Sequence, residues 1–201
     1  MLQGDVRMYR DFCANEYNEF WDDLDMNSKE FLITAHYLYD RSKAQATDFS
    51  PVIIEYCRVF ENELLVKIFK IFIQSQASLS QKPTYQNRVF VKIDKAVDDQ
   101  KNYGGFFLSS MDMVKILQIM NRFFNEAGYE NNLNLFLRTN GYDTRQLSDR
   151  QHFIIPAKDY VDNYRNEAAH PNFLQEEMAA NCHSKTKYLI RKFIGAKTNN
   201  L

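Results

Sequence analysis

Glycine and proline are scarce in this chain, six and four among 201 residues, so it has few places to turn and favours helices joined by a modest number of loops. An excess of positive charge is also missing: 25 Lys and Arg face 26 Asp and Glu. That balance excludes the global basic field of a non-specific nucleic-acid binder, and any contact with nucleic acid must be local. No stretch of about 18 apolar residues occurs, which predicts no membrane-spanning helix and no membrane partner. The segment 1–21 carries Asp5, Arg7, Arg10, Asp11, Glu16 and Glu19 with no unbroken apolar run, unlike a signal peptide. Three scattered cysteines, Cys13, Cys57 and Cys182, lack the spacing of a zinc site or a disulfide framework. A reducing, cytoplasmic setting without metal or cofactor is the expectation.

What the chain does contain is 45% hydrophobic and 25% charged residues, enough for a buried core over one domain. Helical spacing predicts a helix over about 27–46, with Asn27 or Ser28 as cap and Phe31, Ala35, Leu38 and Tyr39 on one face. Asp48-Phe49-Ser50-Pro51 breaks that pattern and restarts it, with Ser50 as cap and Pro51 at the first helical position. Over about 51–76, Ile53, Cys57, Phe60, Leu64, Ile68 and Ile71 or Phe72 form an apolar stripe. Glu61 borders that stripe and Glu63 falls off it.

Periodicity does not choose between strand and helix over 78–103. Further helices are predicted over 111–127, closed by Gly128, and over 131–140, closed by Gly141. Two more cover 155–169 and 173–194. Pro171 disfavours the helical conformation for His170, so the first of these should end near Ala169.

That helix end carries Tyr164-Arg165-Asn166-Glu167-Ala168-Ala169-His170-Pro171. Residues four apart share a helix face, which brings Asn166 near His170, with Arg165 beside them. A guanidinium can hold a phosphate through two parallel hydrogen bonds, and an imidazole can take or give a proton near neutral pH. Together they suffice for phosphodiester cleavage without a metal, the imidazole deprotonating a ribose 2′-hydroxyl and the guanidinium balancing phosphoryl charge. Plainer readings stand beside this one. His170 can cap its helix through the helix dipole, and Arg165 can be the ion-pair partner of Glu61. Lys185, Lys187, Arg191 and Lys192 form a local basic run that suits RNA or an ordinary solvated helix face.

The Arg165-Asn166-x-x-Ala169-His170-Pro171 pattern resembles the signature of HEPN domains, helical bundles found in prokaryotic defence systems and toxin-antitoxin pairs, many of them ribonucleases. The stretch from Ser50 to Leu64 is similar to the early core helix of several branches of that family, where a Tyr and a Glu face the later helix. The resemblance covers roughly 27–76 and 155–194. It implies an all-α, HEPN-like antiparallel four-helix bundle with a helical insertion at about 78–149. It also implies Arg165 and His170 as the catalytic pair, Asn166 as the polar residue after the arginine, and Glu61 or Glu63 as the acidic partner of Arg165. RNA as substrate and a homodimer whose two motifs form one cleft follow from it, with an antitoxin or other protein as a further partner. A toxin branch of the family carries, two residues after the His, a Tyr that a partner enzyme modifies; here that position is Asn172. The alternative within the same family is a non-catalytic module for dimerisation or protein docking.

Overall fold

The computed structural model describes residues 3–81, 88–120 and 128–197. Among them the secondary structure is helical, and the one β feature is an isolated bridge between Tyr142 and Lys197. The helices are α1 (Gln3–Glu16), α2 (Met26–Gln45), α3 (50–77), α4 (Val91–Tyr103), α5 (Ser110–Ile119), α6 (Tyr129–Thr139), α7 (Thr144–Leu147), α8 (150–169) and α9 (Glu176–Gly195). None of them is long and apolar enough to cross a membrane.

The chain forms two compact units, one made of Met1–Glu63 with Asp159–Ile194, the other of Leu64–Lys158 with Gly195–Leu201. The 78–149 segment, expected to be an insertion, falls wholly in the second. Each segment of the expected core, 27–76 and 155–195, divides between the units.

In the first unit α1 packs against α2, and the shared interior is built from Leu32 and Ile33 of α2, Ile53 and Phe60 of α3, Tyr160 of α8, and Leu189 and Phe193 of α9. The Phe60 and Tyr160 rings meet edge to face at 5.8 Å, and the Tyr160 hydroxyl pairs with Thr186 Oγ1 at 2.6 Å. A buried hydroxyl with its partner in place keeps this aromatic layer free of a desolvation cost. Cys13, Cys57 and Cys182 are buried free thiols; burial pushes Cys13 up to about 12 and Cys57 well above its ordinary value. Thiols held protonated in this way are poor nucleophiles.

Asp25, not Asn27 or Ser28, caps α2: its carboxylate accepts from the Asn27 N–H at 2.9 Å. The same carboxylate accepts from Asn62 Nδ2, while the Asp25 N–H donates to Glu63 Oε1 at 2.8 Å. Glu63 is therefore fully buried, contrary to its expected place off the stripe. Val52, Tyr56, Val59 and Glu63 form a second buried line on α3 beside the expected one, so this helix is enclosed over a wide face.

A π turn at Leu65–Phe69 interrupts α3. Its additional residue rotates the rest of the helix, so Phe72 is buried where Ile71 remains 48% exposed. In the second unit the 78–103 ambiguity resolves into a helix, α4, with Ile93 and Val97 buried, Val91 exposed, and Phe90 buried just ahead of its first residue. Residues 82–87 lie outside the described residues, as do 121–127, the end of the helix expected over 111–127. The Phe72 and Phe136 rings pack at 5.6 Å, and Phe90 stacks on Tyr129 at 6.5 Å. The Asp143 N–H donates to the Ala196 carbonyl at 2.7 Å beside the Tyr142–Lys197 bridge.

Candidate functional site

The helix carrying the motif is irregular where the motif lies. Within α8, π hydrogen bonding extends over Val161–Asn166, a single α turn comes next at Glu167–Ala169, and His170 leaves the helix with φ −92° and ψ 158°. The extended backbone at His170 is what Pro171 imposes on the residue before it. Local π turns often accompany functional sites because they aim side chains off the regular helical ladder.

That irregularity takes His170 off the helical ladder on which a straight α-helix would stack it over Asn166. Asn166 Nδ2 donates to Asp162 Oδ1 at 3.3 Å, so its amide is engaged toward the preceding turn. Arg165 is half-buried and His170 is exposed. Among the described residues neither the guanidinium nor the imidazole has a hydrogen-bond or ion-pair partner, so no such bond joins Arg165 to Glu61 or Glu63. Glu63 faces the Asp25 N–H, and Glu61 is half-buried with no hydrogen bond or ion pair among the described residues.

The loop after His170 is tied down by its backbone. The His170 N–H donates to the Glu167 carbonyl at 3.2 Å, and the Asn172 N–H donates to the His170 carbonyl at 2.8 Å. Asn172 Nδ2 reaches Glu167 Oε2 at 3.2 Å. The loop is then clamped to the start of α3: the Phe49 N–H donates to the Leu174 carbonyl at 3.1 Å, and the Leu174 N–H donates to Asp48 Oδ1 at 2.9 Å. Asp48 Oδ1 also accepts from the Ser50 N–H at 3.0 Å. Burial on its own would raise the Asp48 carboxyl, but the hydrogen bonds from Leu174, Ser50 and Phe49 outweigh it and hold the group below its ordinary value. Because 171–175 serves as this strap, α9 begins at Glu176 and not at 173.

Two shallow grooves flank the strap, both in the first unit. One, of about 590 Å³, is lined by His170, Pro171, Asn172 and Phe173 on one side and by Pro51, Ile54 and Glu55 on the other. The second, of about 620 Å³, lies among Tyr164, Phe173, Met178 and Asn181. Phe173 borders both and is 62% exposed.

The four basic residues of α9 differ in what they offer. Lys187 is held by Glu16 at 2.7 Å and Arg191 by Glu19 at 2.8 Å, whereas Lys185 is exposed and Lys192 lies over the Tyr188 ring. The other histidines are committed elsewhere. His152 pairs with Asp149 at 3.0 Å, and His36 and His183 meet in the interior at 5.1 Å between ring centres. Among the described residues no group of three or more His, Cys, Asp or Glu is arranged to hold a metal ion.

Asp48 and Phe173 fall outside any recognisable motif. Asp48 had a local signal, an acidic residue two positions before the Ser50-Pro51 helix start. Phe173 had none, since its exposure depends on the loop after Pro171 being extended. No protein-family model matches the chain, and neither a curated protein nor a solved structure is significantly similar to it.

Proposed function

We propose that this protein is a metal-independent endoribonuclease of HEPN type, working as a homodimer in a defence or toxin-antitoxin context. The observation that carries the reading is the unpartnered state of Arg165 and His170 at one helix end, among the described residues. A structural arginine in a half-buried position ordinarily finds a carboxylate, and a capping histidine ordinarily finds a carbonyl. Both groups here stay available to a ligand.

In the proposed reaction the His170 imidazole removes the proton of a ribose 2′-hydroxyl, and the 2′-oxygen attacks the adjacent phosphorus. The bond to the 5′-oxygen breaks, and that oxygen takes a proton from a second imidazolium, that of His170 in the other copy. The products are a 2′,3′-cyclic phosphate and a 5′-hydroxyl. Arg165 balances the charge that builds on the non-bridging oxygens. Asp48 acts through the backbone of the 172–174 strap and is a positioning residue. Incubation of RNA with the protein in excess EDTA is expected to yield cyclic-phosphate ends that a His170→Ala variant does not produce. Equal product from that variant excludes the reading.

A second reading, a non-catalytic helical module that docks a partner protein, is favoured by the electrostatics. Glu16 and Glu19 neutralise Lys187 and Arg191, and Asp48 and Glu55 border the His170 groove. Under that reading RNA is neither bound nor cut, and the His170→Ala variant retains its partner.

A further inference from the structure

The second groove has a lining of unusual composition for a surface depression. The aromatic side chains of Tyr164 and Phe173 line it together with the apolar Met178 and Leu174. Around them stand three carboxamides, Asn163, Gln175 and Asn181, and one carboxylate, Glu177. None of these four side chains has a hydrogen-bond partner among the described residues. No Lys or Arg lines the groove, so nothing in it attracts a phosphate. Its volume falls within the range that encloses a small planar ligand.

Aromatic walls with an amide rim suit a flat ring that has polar groups on its edge. A carboxamide donates and accepts at once and so matches the adjacent donor and acceptor of a base edge, while a carboxylate only accepts. Glu177 therefore selects an edge bearing an amino group, as adenine, cytosine and guanine have and uracil lacks. The position of the groove adds to this. Tyr164 precedes Arg165, and Phe173 lines both this groove and the one that His170 borders.

We propose that the groove between Tyr164 and Phe173 binds an unpaired, amino-bearing nucleobase of an RNA strand, stacked on Phe173 and read at its edge by Asn163, Gln175, Asn181 and Glu177. This rests on the ribonuclease reading for its ligand class, since it places the base beside a phosphate held by Arg165. Recognition of single-stranded RNA through splayed bases on aromatic rings is a general solution where no duplex groove is read. The neutral-to-acidic rim fits a base and repels the backbone, which leaves the phosphate to Arg165, the residue that follows Tyr164 in the chain.

The test uses fluorescent ten-nucleotide strands of adenosine, cytidine or uridine, 2′-O-methylated so that they cannot be cleaved, and reads anisotropy on the full chain. The adenosine and cytidine strands are expected to bind at least about 5-fold more tightly than uridine, from the loss of one edge contact. Phe173→Ala should weaken binding of the preferred strands about 10-fold, from the loss of base stacking. Phe173→Trp should restore it, with the new indole fluorescence quenched by the strand. Glu177→Gln and Asn181→Ala should narrow the preference over uridine. Phe173 is exposed, so neither of its variants should disturb folding. Undiminished binding in Phe173→Ala, equal affinity for all three strands, or no binding of any strand overturns the proposal. Cleavage of ordinary RNA in EDTA is measured in parallel. Strand binding that depends on Phe173 without any cleavage overturns the ribonuclease reading alone; cleavage that depends on His170 with binding indifferent to Phe173 overturns the base site alone.

Discussion

The Asp48 carboxylate accepts a hydrogen bond from the Leu174 backbone N–H at 2.9 Å, joining the start of α3 to the strap after His170. One oxygen thus caps a helix and fixes a loop 126 residues away in sequence. Asp48→Ala is expected to destabilise the fold by about 1–2 kcal/mol, the usual cost of a lost cap with an N–H left unpaired. The loss should be visible in urea denaturation, and any RNA cleavage should fall with it.

Asp48 also sets an acid limit. Its carboxyl is held below the ordinary value in the folded chain, so its contribution is complete above the unfolded carboxylate range, near pH 4, and disappears as pH falls through the folded value. An Asp48→Asn variant should lose this component, which denaturation curves from pH 5 down to pH 2 would reveal as a flatter profile.

His36 and His183 impose a limit at milder acidity. Tyr17, Tyr56 and the two imidazoles form a packed cluster, and desolvation, reinforced for His36 by His183, lowers both histidines, His36 to about 4. Glu16 acts in the opposite direction without cancelling the shift. Both groups are therefore neutral in the folded chain, while the unfolded chain takes up protons below about pH 6.5. Stability is complete above that pH and falls as pH drops from about 6.5 toward 4, for His36 by on the order of 3 kcal/mol. Histidine proton shifts followed by NMR should show His36 titrating near 4, and a titration near 6.5 would refute the assignment.

Glu16 and Glu19 mask two cations. Their pairs with Lys187 and Arg191 are partly exposed, so Glu16→Gln with Glu19→Gln should cost no more than about 1–2 kcal/mol in total. If α9 contacts RNA, the same double variant should bind a strand more tightly and steepen the salt dependence by up to about two ionic contacts. Anisotropy between low and moderate salt measures both quantities.

Glu63 is the most deeply placed carboxylate of α3, and its oxygen satisfies the backbone N–H of the residue that caps α2. Glu63→Ala is expected to cost about 2–4 kcal/mol, combining a cavity with an unpaired, part-buried donor. Glu61→Ala, at a half-buried position, should cost less than about 1 kcal/mol. Thermal melts of the two variants compare the roles directly; similar losses would contradict the assignment.

Several elements were legible from residue pattern because local rules and tertiary packing agree there. Pro171 disfavours the helical conformation for His170 whatever surrounds it, and α8 ends at Ala169 accordingly. The stripe from Ile53 to Ile68 is buried as its spacing predicts. Other elements were hidden. The line Cys13, Tyr17, Phe20 and Leu24 has helical spacing and is buried, yet α1 ends at Glu16 and the rest of the line lies in the turns after it, and the many charges around it hid the pattern. The π turns cannot be read from hydrophobic period, since a single additional residue costs little when neighbouring side chains fill the widened turn.

The sequence by itself determined the helical class, the end of the motif helix and the identity of the groups that could do chemistry, because these depend on side-chain periodicity, proline geometry and functional-group inventory. Tertiary structure decided which of those groups stay available. Glu63 turns to Asp25, Lys187 to Glu16 and Arg191 to Glu19, while Arg165 and His170 stand without such partners among the described residues. The physical reason is that a polar side chain pairs with whatever the fold brings within about 3 Å, and Glu16 and Lys187 are 171 residues apart in sequence.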